Sequence, residues 1–575
     1  MKRLILFLSA LAAAFSLAAA PVSEQRARKV AADFFAGADD WVRLPDAPAG
    51  CYVFNRRSGG FVIVSADDCT LPVLAYSHSG RFTLKDAPDN LRAWAESTSR
   101  VIRESAAKGR ISDSRLQAVW DRPAVLSRAG EGTARLINTA TWDQHAPFNE
   151  YTPVVDGEKS LTGCVALAMA IIMRHYRWPE KGSDVLPGYE FVSEKGTRIY
   201  QNGHALGHSY NWADMPLNHV PADNRSVARL VYDCAIAIES AFNASGTSAY
   251  ANDAPAKMAQ YFGYSMSALV EQRSYYTTSS WMARIKAEID AGRPVLYSAF
   301  SEATYGHAFV VDGYDEMSCL HVNWGWKGSC NGYFSIDCFF PYAGDASREA
   351  EYGYYFRHAA AFDLIPDKSG SSRPKDMLCM RRSGDMQGLR LVSGTIAKDS
   401  PFRLEFGLCA NRGNYSYSGG ALRVGLVAGD GTLREFVGAA ESVPLLEPNY
   451  GVRIYDYDAR ISAEPALGDV LKVFYRTGSD WEPMPYGLDD GTVGYLHAGP
   501  DIRFIQREAV YYRGEQLSPS LLFGNRPYVA LEWYFDGVKC SERTPPLTQG
   551  THRLKAVITH EDGSRETILQ EISVP

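Results

Sequence analysis

The stretch Leu161-Thr-Gly-Cys164-Val-Ala-Leu-Ala-Met-Ala-Ile-Ile-Met-Arg174 decides how this chain is read. Thr162 and Gly163 can open a helix and Pro179 lies just past its end, so the spacing predicts a helix from Cys164 to about Tyr176. That helix is apolar all round, which sends it through the middle of a core. Cys164 then stands at the N-terminal end of a buried helix. There the unpaired N–H groups and the helix dipole favour a thiolate, lowering a pKa that starts at about 8.5. Taken alone, such a residue is equally read as a buried structural cysteine.

Two later stretches change the balance. Gly306-His307-Ala-Phe-Val-Val-Asp-Gly313 is an apolar strand with one histidine near its start and a turn after it. A lone histidine in a strand is more often a core residue than a catalyst. His321-Val-Asn323-Trp324-Gly-Trp326-Lys-Gly328 is a second strand that ends in a Gly-rich turn. Strands joined by Tyr314 to Leu320 are neighbours, which lets His307 and Asn323 sit side by side. His307 lies 143 and Asn323 lies 159 residues after Cys164. An early nucleophilic Cys with His and Asn roughly 130–150 residues downstream is the papain-type order.

Around this region the chain is ordinary globular protein. It has 575 residues, 46% hydrophobic and 22% charged, and 59 Lys+Arg against 66 Asp+Glu leave a formal charge of −7. Its length implies about three to five folding units. Without Lys/Arg blocks there is no electrostatic footprint for nucleic acid. Met1-Lys-Arg3, the apolar run Leu4 to Leu17 and Ala18-Ala19-Ala20 read as a secretory signal over residues 1–20, with Pro21 moving the cut to about Ala19/Ala20. No later stretch reaches roughly 18 uninterrupted apolar residues, so no membrane span is expected. The 10 cysteines include no C-x-x-C pair, and HExxH is absent, so neither zinc nor another cofactor is suggested. Cys51 and Cys69 could bridge; most of the other thiols read as buried small hydrophobes.

Composition shifts divide the chain. Residues 21–128 carry helical patterns at Val22–Phe35 and Asp89–Lys108, and strand-like runs at Gly50–Asn55, Gly60–Ser65 and Pro72–Tyr76. This small α+β unit passes into Arg122-Pro-Ala-Val-Leu-Ser-Arg-Ala-Gly-Glu-Gly-Thr-Ala-Arg135, an exposed linker and a site for nicking. A dense mixed region covers 136–365. Beyond Asp367-Lys-Ser-Gly-Ser-Ser-Arg-Pro374, short alternating runs separated by turn signals predict two β-sandwich (immunoglobulin-like) domains, 374–498 and 500–575.

Four ordered motifs give the dense region a relative. Thr141-Trp-Asp-Gln144, Thr162-Gly-Cys-Val-Ala166, Gly306-His-Ala-Phe-Val-Val-Asp-Gly313 and Val322-Asn-Trp-Gly-Trp326 together resemble the streptopain family of secreted bacterial cysteine peptidases. Upstream, Tyr52-Val-Phe-Asn55 followed by Gly59-Gly-Phe-Val-Ile-Val-Ser-Ala-Asp-Asp68 resembles that family's inhibitory prodomain. The resemblance covers about residues 21 to 365 and leaves the tail unexplained. It implies a papain-like peptidase domain with a small α+β prodomain before it; with the sandwiches that strand spacing predicts after it, the chain is expected to be α+β.

Motif by motif, the resemblance implies Cys164 as nucleophile, His307 as general base and acid, and Asn323 orienting the imidazole. Trp324 would cover that hydrogen bond from water. Gln144 would supply an oxyanion-hole donor beside the Cys164 N–H; it also reads as a surface polar residue in a loop. Gly306 would bring backbone close to the substrate. Phe242-Asn-Ala-Ser-Gly-Thr-Ser248, with Ser245 and Gly246, loosely resembles a loop lining the family's cleft and equally reads as a plain turn. Asp143, Asp312 and Asp315 are read as solvated turn residues.

The expected function is a secreted cysteine endopeptidase made as a zymogen. Its partners are protein or peptide substrates, its own prodomain as intramolecular inhibitor, and an activating protease cutting at Arg128 or Arg135; self-cleavage near Leu126 or Leu136 is the other route. The competing class is a catalytically silent adhesin on a peptidase fold. Such a protein is expected to lose one of Cys164, His307, Asn323 and Gln144, and all four are present.

Overall fold

A computed structural model describes residues 17–18, 20–85, 89–107, 111–112, 114–121, 135–273, 276, 278–300, 306–315, 319–335, 356–381, 388–466, 468–485, 495–498, 503–504, 517, 519, 521–522, 527–540, 544–548 and 550–574. Most of the signal segment, the linker from 122 to 134 and Arg128 within it lie outside these residues. Among the described residues no helix is long and apolar enough to cross a membrane.

The first unit begins with helix α1 (Glu24–Phe34), whose N-cap Ser23 accepts a hydrogen bond from the Arg26 N–H at 3.2 Å. Strands β1 (Trp41–Arg43), β2 (Cys51–Arg56), β3 (Phe61–Ser65) and β4 (Val73–Ser77) follow, then helices α2 (Asp89–Ala107) and α3 (Ser114–Asp121). Every residue of β3 and β4 is buried, the pattern of strands covered on both faces.

The peptidase-like region contributes β5 (Arg135–Leu136), helices α4 (Cys164–Tyr176), α5 (Arg225–Ala237), α6 (Ala254–Phe262) and α7 (Thr278–Asp290), and strands β6 (Leu269–Gln272), β7 (Val295–Phe300), β8 (Gly306–Tyr314), β9 (Leu320–Asn323), β10 (Gly332–Phe334) and β11 (Phe356–Phe362). All the strands named so far join one antiparallel sheet of 11, in the order β6-β11-β7-β8-β9-β10-β4-β3-β2-β1, with β5 added to β8. The two halves meet at β10 and β4, where Tyr333 lies opposite Tyr76 and Phe334 opposite Ala75. The first unit therefore extends the sheet of the second.

Alternation along β8 builds the core on both faces. Ala308 and Val310 point to α4, which is buried from Val165 through Arg174 and packs between the sheet and α5. Phe309 and Val311 point the other way, to Trp281 and Ile285 of α7 and to Leu91 and Trp94 of α2. This second core is shared by the first unit and the peptidase-like region. Each fully buried Leu, Ile or Phe in it contributes about 1.5–3 kcal/mol, so the two parts stabilise each other.

Beyond residue 365 the chain stays attached to the peptidase-like region through the Ser265 N–H to the Ile365 carbonyl (2.8 Å), Asp367 N–H to Gly263 (2.9 Å) and Asn414 Nδ2 to Ala268 (2.8 Å). Strands between Leu378 and His497 form three small antiparallel sheets around one core that includes Leu378, Leu404, Phe406, Leu422, Val424 and Leu471. The last region is a four-stranded antiparallel sheet built from Tyr528–Phe535, Val538–Cys540, Gly550–His560 and Arg565–Val574, with two small apolar clusters that meet at Trp533 along one face. Within 500–575, where a second sandwich is expected, the described residues contain this one sheet and a two-residue ladder, Arg503–Phe504 with Leu521–Leu522.

Candidate active site

Helix α4 starts at Cys164 because Gly163 breaks the chain direction there. Gly163 has φ 90°, and a Cβ on it would lie 3.0 Å from Thr247 Cγ2, so only glycine meets both demands. Thr247 is locked in turn, donating to the Leu161 carbonyl at 2.8 Å and accepting the Asn243 N–H at 2.9 Å. The loop around residue 245 is thereby held against the residue preceding the cysteine. Ser245 is exposed and gives its hydroxyl to Glu194 at 2.7 Å, while Gly246 faces open space.

The thiol lies beside the start of β8: the Ala308 N–H donates to Cys164 Sγ at 3.5 Å. His307 is the preceding residue, half-buried, and Gly306 before it is exposed at the strand's end. The His307 ring stacks over Phe309 at 6.2 Å and 18°, and Phe309 meets Trp324 at 5.0 Å. Burial pushes the Cys164 thiol up from its ordinary pKa, against the pull of the Ala308, Val165 and Cys164 amides. This corrects the expectation from the helix dipole alone. In this form of the chain the core surrounding the thiol outweighs the helix end.

Asn323 ends β9 and lies opposite Val310, three positions along from His307. It is 1% exposed. Its Nδ2 donates to Thr139 Oγ1 at 3.0 Å and to the Ala140 carbonyl at 2.9 Å, and its Oδ1 accepts the Gly325 N–H at 3.2 Å. The turn that follows rests on α4, since a Cβ on Gly325 would meet Leu167 Cδ2 at 2.8 Å.

Gln144 is buried, and its carbonyl accepts the Thr162 N–H at 3.3 Å, two residues before the thiol. The loop reading for this segment holds; the surface reading does not.

The three aspartates read as solvated turn residues are buried hydrogen-bonding centres instead, a correction to the sequence reading. Asp143 accepts the Gln144 N–H at 2.7 Å and the His145 Nδ1 at 3.3 Å, with Lys327 Nζ 3.4 Å away. Burial alone would raise its carboxyl, but these donors take it below the usual range, and the same pairing raises His145. Asp312 sits at a bulge in β8, accepts the Thr139 hydroxyl, and holds His321 Nδ1 at 2.5 Å. Asp315 accepts the Tyr76 hydroxyl at 2.8 Å and the Cys319 N–H at 2.8 Å. A charged residue inside the apolar run of β8 is the signal that could have flagged Asp312; nothing local marks Thr139.

Of the proposed processing residues, Arg135 is exposed but paired in β5 opposite Tyr314, with its guanidinium 3.4 Å from Asp290. Cys51 and Cys69 are both buried, and no disulfide joins them.

A thiol at a helix start with a histidine-bearing strand beside it is an arrangement able to support nucleophilic attack on carbonyl groups. Residues 142–334 match the family model described as Peptidase C10 family, and residues 19–102 match the one described as Spi protease inhibitor. The thiol protease/hemagglutinin PrtT of Porphyromonas gingivalis is 30% identical over 348 residues, covering 56% of this chain and 40% of that protein. Streptopain of Streptococcus pyogenes is 28% identical over 311 residues, covering 51% of this chain and 75% of the relative. A solved fragment of Prevotella intermedia prointerpain A aligns over 57% of this chain and 99% of its own, with 26% identity and a TM-score of 0.44. The chain thus spans less than half the length of PrtT and three quarters of streptopain. Residues 142–334 are thus similar to the Peptidase C10 family, with a Spi-type match ahead of them at residues 19–102.

Proposed function

We propose that this chain is a secreted cysteine endopeptidase synthesised as a zymogen. The observation that carries the reading is the 3.5 Å approach of the Ala308 N–H to Cys164 Sγ, which brings the His307 strand to the nucleophile. Cys164 and His307 act as a thiolate–imidazolium pair. Cys164 Sγ attacks the peptide carbonyl, and the developing oxyanion is met by the Cys164 N–H and the Gln144 side-chain amide, a donor worth about 2.7–4 kcal/mol in comparable sites. His307 protonates the departing amine, and water then releases the acyl group from sulfur. Asn323 orients the imidazole and Trp324, through Phe309, shields it from water. Gly306 and the Ser245–Gly246 loop border the substrate groove.

The first unit, 21–128 with a linker to about 135, is the inhibitor. Its support is the shared core and the β4–β10 pairing, which hold it to the peptidase region. We place the activating cut within 122–134, Arg128 being the preferred position. A bond in a paired strand such as β5 resists proteolysis, and Arg135 is so paired. The sandwich region beyond 374 serves as a binding or spacing module. Export by the N-terminal signal delivers the precursor outside the cytoplasm.

The test uses purified precursor as wild type, Cys164→Ala and His307→Ala, each nicked by an added Arg-specific protease and then offered a denatured protein in reducing buffer. Hydrolysis by wild type alone supports the assignment. Equal hydrolysis by the two variants would refute it.

A further inference from the structure

The residues immediately after the linker reach the site by a route that neither sequence pattern nor family motif indicates. Leu136 pairs with Gly313 of β8, the Ile137 N–H donates to the Asp312 carbonyl at 2.7 Å, and Thr139 and Ala140 then meet the Asn323 amide. Residues 135–140 thus run from the exposed surface to the floor of the site. Thr139, Asp312 and Asn323 are all buried.

The polarity of this chain of bonds is forced. A carboxylate only accepts, so the Thr139 hydroxyl proton goes to Asp312, whose other oxygen holds His321. Thr139 Oγ1 has then only lone pairs to offer Asn323. The Ala140 carbonyl likewise only accepts. Both contacts therefore require amide N–H groups, so Nδ2 faces residues 139 and 140 and Oδ1 faces away. Flipping the amide would set an oxygen against two acceptors inside a buried pocket, a loss of both bonds and a repulsion besides. The Gly325 N–H occupies one lone pair of Oδ1. The second remains for an N–H donor, which is what an imidazole-orienting asparagine must present.

We propose that Thr139, set by Asp312, is a positioning residue for Asn323, and that residues 135–140 are a strap that must stay whole when the precursor is cut. This rests on the Cys-His-Asn reading above. Cleavage inside 122–134 leaves the strap in place. Cleavage after Arg135 would sever β5 and loosen Asn323.

The test compares wild type, Thr139→Ser and Thr139→Val as full-length precursors nicked in the linker, with rates normalised to active sites titrated by a thiol-reactive inhibitor. Valine keeps the shape and removes the hydroxyl. Losing one buried acceptor for the Asn323 amide should lower kcat about 10-fold with KM nearly unchanged. It should also move the alkaline limb of the pH–rate profile to lower pH, because an imidazolium that loses its acceptor gives up its proton more easily. Serine should restore both. A purely structural role would lower thermal stability and the titrated fraction, leaving the profile per active site unmoved; that result overturns the inference. If Thr139→Val does not accumulate, Thr139→Ala serves instead: it removes the same hydroxyl, so the same shift is expected, and an unshifted profile overturns the inference. An active wild type with an unaffected Thr139→Val removes this inference alone; a wild type that hydrolyses nothing removes the peptidase reading with it.

Discussion

Tyr76→Phe isolates one bond that joins the first unit to the region of residues 136–365. The Tyr76 ring is buried, stacked on Tyr333 at 5.0 Å and edge-on to Phe34 at 4.9 Å, so phenylalanine keeps the packing. What disappears is the hydroxyl that donates to Asp315 Oδ2 at 2.8 Å. Asp315 is fully buried and retains the Cys319 N–H on its other oxygen. Once the first unit departs, that carboxylate can hydrate. The loss of the Tyr76 bond therefore falls on the docked state alone. A hydrogen bond to a charged group is worth about 1.5–3 kcal/mol, which weakens docking about 10- to 150-fold. The assay uses the Cys164→Ala background so that nothing is digested: the linker is cut with an Arg-specific protease and dissociation of the first unit is followed by surface binding. A dissociation constant within about 2-fold of the parent would refute the reasoning. So would an increase in a Tyr76→Phe protein whose isolated first unit no longer folds.

Gly163→Ala places a side chain at φ 90° and 3.0 Å from Thr247 Cγ2; it should cost about 1–3 kcal/mol and more than 10-fold in kcat/KM, read by thermal melting and peptide hydrolysis together. Asp233 on α5 is fully buried and accepts from His204 Nε2 (2.7 Å), His208 Nε2 (2.8 Å) and the Tyr210 hydroxyl (2.8 Å). Burial would raise its carboxyl, but these donors leave it depressed. A depressed carboxyl contributes stability above its unfolded pKa of about 3.9 and loses it as pH falls through the folded value. The stability gap between wild type and Asp233→Asn should therefore be full near pH 6 and close below about pH 4; denaturant melts at each pH check it. In the uncut precursor, alkylation of Cys164 at pH 7 should be slower than that of a free thiol and rise with pH, because burial raises that thiol; peptide mapping after brief iodoacetamide treatment reads the rate.

Much of the fold is written in local pattern. The helix from Cys164 to Tyr176 appears at the bounds expected of a run apolar on every side, and the strand Tyr528–Phe535 matches its alternating run. The strand that carries His307 reaches Cys164 through the Ala308 N–H. Three features were not legible. The joining of two units into one sheet depends on β10, a three-residue strand whose partner β4 lies more than 250 residues earlier; local periodicity carries no trace of so distant a pairing. Asp312-Gly313 carries a turn signal, yet the strand runs on to Tyr314 through a bulge that turns the aspartate inward. The state of the thiol depends on how much core surrounds it, and that follows from tertiary packing rather than from the helix that begins there.

The central claim is that Cys164 becomes acylated by substrate. Nicked wild-type protein mixed with a peptide ester, quenched in acid within the first turnover and mapped by mass spectrometry, should carry the acyl group on the peptide that contains Cys164. The Cys164→Ala protein should carry none. Turnover of the ester with no adduct on that peptide, or with the adduct on another residue, would contradict the account.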